Sequence, residues 1–325
     1  MEEKNKKEKV AAVVVTYNRK ELLKECLDAL LNQTYPLDSI ILIDNASTDG
    51  TPEFLKEQGY LNNPKIDYVR LSENTGGAGG FHEGVKRGYE KGYDWLWLMD
   101  DDAEPKEDAL EKLSKYFNEN NLSALAGSVV LTNGIISYIA RGNINLNCML
   151  PIPQKPLESK FYRSNFIEID MASFVGILVS KKAIEKVGYP KKEFFIQGDD
   201  AEYCIRLRQV GKIFLIPDSV IIHKEAAKKG KIIKRFMGRE FLRVPYDKFW
   251  LNYYSMRNLV WLGKQYSTNK INFYLGLGKN FIKSIIGVLV YDDKKLKRIH
   301  FIVNSYIDGL KGIFDNEKPK RILYR

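Results

Sequence analysis

Apolar and polar positions alternate in blocks along the first third of the chain. Val10 to Thr16 is a β-branched run. Residues 19–33 follow with Leu22, Leu23, Cys26, Leu27, Leu30 and Leu31 at helical spacing. The alternation continues with a strand Ile40–Asp44, a turn-and-cap run Asn45–Thr51, a helix over 52–59 and a strand Ile66–Leu71. A glycine-rich loop, a helix over 80–91, a strand Asp94–Met99 and a helix over 106–120 come next. Continuous apolar strands separated by helices predict an α/β fold with a mostly parallel central sheet flanked by helices. Such sheets bind ligands beyond the carboxyl ends of their strands. The polar clusters Thr16-Tyr17-Asn18-Arg19, Asp44-Asn45, Asn74 with its glycines, and Asp100–Asp102 all fall at those ends, so they are expected to converge. From 124 to 222 the pattern shifts to short strands, Gly and Pro turns and one helix at 181–187. Residues 226–325 read as mostly helical, basic and aromatic.

The run Trp95-Leu96-Trp97-Leu98-Met99-Asp100-Asp101-Asp102 is an apolar strand ending in three carboxylates. Adjacent like charges repel, so local folding alone would not select them. Oxygen ligands at a strand mouth suit Mg²⁺ or Mn²⁺, which take one or two carboxylates and fill other positions with phosphate oxygens and water. Capping of a helix with Pro105 in its first turn would account for one acid, not three.

A second acidic cluster, Gly198-Asp199-Asp200-Ala201-Glu202, follows the strand-like Phe194–Gln197 and opens a helix, so one acid can cap while another faces a cleft. A carboxylate within reach of an acceptor hydroxyl can serve as general base. The strand 219–222 ends in His223, which is either a polar surface residue or, with aspartates nearby, a third metal ligand. Asn74-Thr75-Gly76-Gly77-Ala78-Gly79-Gly80 fails the dinucleotide fingerprint, because a match starting at Gly77 meets His82 where glycine is required. The loop therefore offers either a bare backbone to a phosphate or sugar, or simply a tight connection.

At 325 residues and 44% hydrophobic content, the chain can bury a full core. Its net charge of +10 is uneven: Lys224, Lys228, Lys229, Lys231, Lys234, Arg235, Arg239 and Arg243 crowd against only Glu225 and Glu240. That run is either a solvated face or a surface for an anionic partner. Three cysteines, Cys26, Cys148 and Cys204, show neither metal spacing nor an even count, so a reducing, cytoplasmic setting is expected. No secretory signal is visible. The apolar region 271–290 is interrupted by Lys279 and Lys283, which argues against a spanning helix but allows an interfacial or a buried one.

Five segments, taken together and in order, resemble the signatures of family-2 inverting glycosyltransferases: Val13–Arg19, Ile43–Thr51, Asn74–Phe81, Met99–Asp102 and Gly198–Arg206. The glycine loop, the triple Asp and Tyr253-Tyr254-Ser255-Met256-Arg257-Asn258 look most like its galactofuranosyl- and rhamnosyltransferase branch. The resemblance implies a GT-A fold over 10–225, with a nucleotide-sugar half (10–123) and an acceptor half (124–225), between a charged tail (1–9) and a helical basic region (226–325). It implies that Thr16, Asn18, Arg19 and Asp44 surround the nucleoside, with Asn74, Gly76 and Gly77 beside the sugar or diphosphate. It implies that Asp100, Asp102 and His223 hold Mn²⁺ or Mg²⁺, with Asp101 reaching ribose or metal. Asp200 matches the base and Asp199 its neighbour. The implied partners are a nucleotide-diphospho-sugar, UDP-galactofuranose or dTDP-rhamnose, and a polysaccharide or lipid-linked glycan acceptor in bacterial or archaeal surface-polysaccharide synthesis. Peripheral membrane contact through 224–290 and a homo-oligomer remain open.

Two other classes compete. Nucleotidyl transfer would also use paired aspartates but should place more basic residues than Arg19 among the motifs. A nucleic-acid-binding module would use the basic run and leave both acidic clusters unexplained.

Overall fold

The computed structural model describes residues 7–147, 154–224, 232–236 and 239–324. Cys148, Glu225, Lys228, Lys229 and Lys231 lie outside them, as does most of the charged tail. Two compact units are formed. Among the described residues, one falls within 1–143, 156–192 and 199–226, and the other within 144–155, 193–198 and 227–325.

Among the described residues, the first unit is built on a nine-stranded sheet. From one edge its strands run Ile66–Arg70, Ser39–Asp44, Val10–Thr16, Trp95–Asp100, Ile177–Ser180, Leu122–Leu131, Lys212–His223 and Ala103–Pro105, with Ile167–Ile169 also pairing Lys212–His223. The first four are mutually parallel. All seven residues of Val10–Thr16 are buried, as a strand covered on both faces requires. Ile177–Ser180 enters antiparallel beside Trp95–Asp100, so the sheet is mixed beyond its centre. The helix Lys20–Leu31 buries Leu23, Cys26, Leu27 and Leu30, one apolar stripe at the spacing read from the sequence.

Several elements differ from the sequence reading. The glycine segment is no loop: a helix spans Gly76–Glu90, beginning inside the run. A side chain at Gly80 would strike Val15, at Gly84 Val13, and at Gly88 Leu96, so these glycines let the helix lie close against the sheet. Pro105 does not open a helix. It ends the edge strand Ala103–Pro105, and the helix that follows covers only Ala109–Ser114. The strand ending at His223 is longer than expected, Lys212–His223. Phe194–Gln197 is not a strand but a short turn Lys192–Phe194 followed by residues of positive φ, Phe195 at 64° and Gln197 at 75°.

The second unit contains the hairpin Ile232–Phe236/Arg239–Arg243 and the helices Leu251–Tyr266, Lys270–Tyr291, Lys295–Lys311 and Lys318–Tyr324. Phe249, Tyr253, Phe273, Phe301 and Val288 form its core. Although it carries Lys270, Lys279 and Lys283, the 22-residue helix Lys270–Tyr291 is long and apolar enough by length and composition to cross a membrane, contrary to the sequence expectation.

Candidate active site

The acidic cluster is assembled by strand register. His223 pairs with Ala103, so the last residue of Lys212–His223 arrives beside the acids that end Trp95–Asp100. The Lys224 N–H donates to the Asp102 carbonyl at 3.0 Å, and His223 Nε2 lies 3.1 Å from Asp102 Oδ1. Oxygen or nitrogen atoms of Asp100, Asp102 and His223 lie within 4.8 Å of one another.

Thr16 and Arg19 join this cluster from the neighbouring strand end. The Thr16 hydroxyl donates to Asp101 at 2.7 Å. Arg19 Nη1 meets Asp101 at 3.0 Å and Asp102 at 3.5 Å. Burial, reinforced by the charge of Asp102, pushes the Asp100 carboxyl up to about 7. Burial likewise raises Asp101 to about 6, against the opposing pull of Arg19. One guanidinium thus faces three carboxylates, a surplus of negative charge where a divalent cation would replace a bound proton. Two carboxylates and an imidazole are a donor set that Mn²⁺ or Mg²⁺ accepts, so these residues fit the expected metal.

Asn18 and Asp44 sit together in a second group. Asn18 adopts φ 57°, and its side-chain oxygen accepts the Thr48 N–H at 2.7 Å while its own N–H reaches Ser47 Oγ at 3.0 Å. Asp44 is fully buried; it accepts from Ser47 N and the Tyr68 hydroxyl, both at 2.8 Å, with Arg70 Nε at 3.6 Å. Beside them Ser47, Thr48, Gly50, Pro52, Glu53 and Arg70 line a depression of about 320 Å³. In a third group, Asn74 Oδ1 receives the Gly76 N–H at 2.8 Å, Gly76 needs its φ of 73°, and Gly77 faces open space. Asn45 ties this turn down by accepting from Thr75 N and donating to Gly76 O.

Asp199 and Asp200 open the helix Asp199–Val210. Burial raises both carboxyls, that of Asp199 well above the usual range, with the charges of Asp200 and Asp100 adding to it. Asp200 receives the Ala201 N–H at 2.7 Å. Glu202 is engaged structurally, in a 2.7 Å pair with Arg206, which also donates to the carbonyls of Val187 and Tyr189.

The sequence reading missed Arg141. It is fully buried and donates to the carbonyls of Gly127, Ala140 and Val175, while its charge favours ionised Asp200. A lone arginine among short strands gives no sequence signal. Ser47, Tyr68 and Arg70, which fix Asn18 and Asp44, were also missed, although Ser47 lies inside the segment Ile43–Thr51.

Of the basic run, the described ends are engaged. Lys224 pairs with Glu25 and with Glu104, and Arg243 pairs with Asp292. Cys26 and Cys204 are buried free thiols.

Comparison with known proteins gives this geometry a context. The chain is 25% identical over 313 residues to the dTDP-rhamnosyl transferase RfbF of Shigella flexneri, covering 94% of this chain and 96% of that one. It is 28% identical over 211 residues to the galactofuranosyltransferase GlfT1 of Mycolicibacterium smegmatis, covering 64% and 68%. Its fold matches S. aureus TarS 1–349 with a TM-score of 0.56 at 14% identity, over 97% of this chain and 83% of that one. This is the GT-A architecture. The model of Glycosyl transferase family 2 matches residues 11–188, more than half of the chain and four of the five motifs. The strand-end acids therefore sit in a chain that belongs to glycosyltransferase family 2 and is a glycosyltransferase.

Proposed function

We propose that the protein is a metal-dependent inverting transferase moving galactofuranose from UDP-galactofuranose, or rhamnose from dTDP-rhamnose, to a polysaccharide or lipid-linked glycan during surface-polysaccharide synthesis. The observation that carries this reading is the closeness of Asp100, Asp102 and His223, within 4.8 Å, beside Thr16, Arg19 and Asp101. The choice of donors is supported by the names of its relatives, a galactofuranosyltransferase and a dTDP-rhamnosyl transferase. Nucleotidyl transfer and nucleic-acid binding have no comparable support.

In this reading Asp100, Asp102 and His223 hold Mn²⁺ or Mg²⁺, which supplies positive charge against the leaving diphosphate. Thr16, Asn18, Arg19 and Asp44 bind the nucleoside side, with Asp101 held by Thr16 and Arg19 at the ribose. Asn74, Gly76 and Gly77 border the sugar. Residues 10–123 form the donor half and 124–225 the acceptor half. Asp200 takes the proton from the acceptor hydroxyl as its oxygen bonds to the anomeric carbon. The bond from that carbon to the diphosphate oxygen breaks, and its electron pair leaves with the nucleoside diphosphate. Attack opposite the leaving group inverts the carbon. Burial favours a proton on Asp200 and the Arg141 charge opposes it, which suits a group that must gain a proton and then release it.

The test is a screen of UDP-galactofuranose, dTDP-rhamnose and UDP-N-acetylglucosamine with Mn²⁺, reading donor hydrolysis and transfer. Turnover of one of the first two, lost with chelator, is expected. Turnover of the third alone would replace the donor assignment, and turnover unaffected by chelator would remove the metal.

A further inference from the structure

The helix Lys270–Tyr291 has two apolar faces, and the second unit covers only one. Phe273, Leu277, Gly287 and Val288 are buried in that unit's core. On the opposite side Ile271 is 74% exposed, Leu275 69%, Ile282 59%, Ile286 53% and Leu289 49%. Their spacing of four, seven, four and three residues keeps them on one stripe. At 1.5 Å per residue that stripe runs about 27 Å along the helix. Tyr274 extends it on one side. Lys279 and Lys283, both exposed, follow its other edge.

Charge decides what covers this face. No Asp or Glu occurs between residues 248 and 291, so the charges on the helix itself are all positive, and just beyond its end Asp292 pairs with Arg243 and Asp293 with Arg298. A second copy meeting the same face would bring lysine rims together without carboxylates to offset them. A layer of anionic phospholipid headgroups provides both the counter-charge and an apolar interior beneath it. The next turn repeats the chemistry: Leu296 is 85% exposed among the exposed Lys294, Lys295 and Lys297. Spanning the bilayer would instead strip Phe273, Leu277 and Val288 from their core, which favours a helix lying along a surface over one passing through it.

We infer that the Ile271–Leu289 face of this helix is a docking surface for an anionic phospholipid membrane, with the apolar stripe entering the headgroup layer and Lys279 and Lys283 pairing with lipid phosphates. The inference does not depend on the identity of the donor sugar.

The test uses the full chain with vesicles of phosphatidylcholine and phosphatidylglycerol, and with vesicles of phosphatidylcholine alone, in a flotation assay at low and high salt. Binding to the anionic vesicles, weakened by salt, is expected. Ile282→Asp with Ile286→Asp should weaken it by about 100-fold or more, and Lys279→Glu with Lys283→Glu by at least about 10-fold. All four positions are exposed, so circular dichroism and melting of the variants should match the parent. Absence of binding to anionic vesicles at low salt would overturn the inference, as would equal binding to phosphatidylcholine alone. A dimer in sedimentation that Ile282→Asp with Ile286→Asp converts to monomer, without vesicle binding, would make the face a self-interface and overturn it too.

Discussion

At the scale of single residues, the acidic cluster is held by groups that each serve two partners. Asp102 faces both Arg19 and His223, so Asp102→Asn keeps its shape while removing the charge that Asp100 and a cation both feel. Mn²⁺ affinity measured by calorimetry is expected to fall by about 10–100-fold or more. Unchanged Mn²⁺-dependent turnover in that variant would rule out Asp102 as a ligand. The second acidic pair separates base from binding. Asp200→Asn should lower turnover about 10²–10⁴-fold with little change in donor affinity. If Asp199→Asn has that effect and Asp200→Asn does not, Asp199 is the base. If both lose donor affinity, the pair belongs to the donor site. Burial raises the Asp200 carboxyl, and a base acts only when deprotonated. Turnover should therefore rise with pH above the ordinary carboxylate range and fall as the medium acidifies through that raised value, a limb absent from Asp200→Asn.

Among elements, the segment 193–198 shows how irregular backbone is sustained. Phe195 and Gln197 hold positive φ, a conformation that costs non-glycine residues about 1–3 kcal/mol each. The helix Leu251–Tyr266 supplies the compensation. Asn258 Nδ2 donates to the carbonyls of Phe194 at 3.0 Å, Ile196 at 3.2 Å and Gln197 at 2.8 Å, and Arg257 donates to those of Glu193 and Phe194. Asn258→Ala leaves these acceptors short of a buried donor and should cost about 1–3 kcal/mol in denaturant unfolding. Because the segment joins Asp199 through one peptide bond from Gly198, turnover should drop as well. An unchanged unfolding midpoint would show that the three bonds add nothing net. Local pattern made the helix Lys20–Leu31 and the four parallel strands legible, since one helical stripe and continuous apolar runs are written in adjacent residues. The edge strand Ala103–Pro105 was not legible, because its identity comes from pairing with Ile221–His223, more than a hundred positions away. The same pairing explains why the strand pattern alone left His223 open between a surface residue and a metal ligand, and only the family resemblance chose the second. Arg141 and the positive-φ turn had no local signature.

For the whole molecule, ligand binding and stability are linked. Every residue assigned to donor, cation or base belongs to the first compact unit, which has a core of its own built on Val10, Val14, Trp97, Met99 and Leu125. A ligand bound only by the folded form at about 100 times its dissociation constant adds about 2.7 kcal/mol. For a unit of this size that corresponds to a rise of roughly 5–10 °C in melting temperature. The rise should require the cation, because without it the diphosphate would meet the surplus negative charge of Asp100, Asp101 and Asp102, which Arg19 and His223 offset in part. Calorimetric scans with the correct sugar nucleotide should thus show a shift in Mn²⁺, little shift in chelator, and little in Asp102→Asn under either condition. An equal shift in chelator would mean that the protein's own groups balance the diphosphate, and the cation would have to be dropped from the donor site. The shift should also be confined to the transition of the first unit if scans resolve two. A single transition moving as a whole would show that the second unit's core, around Phe273 and Phe301, unfolds together with the site.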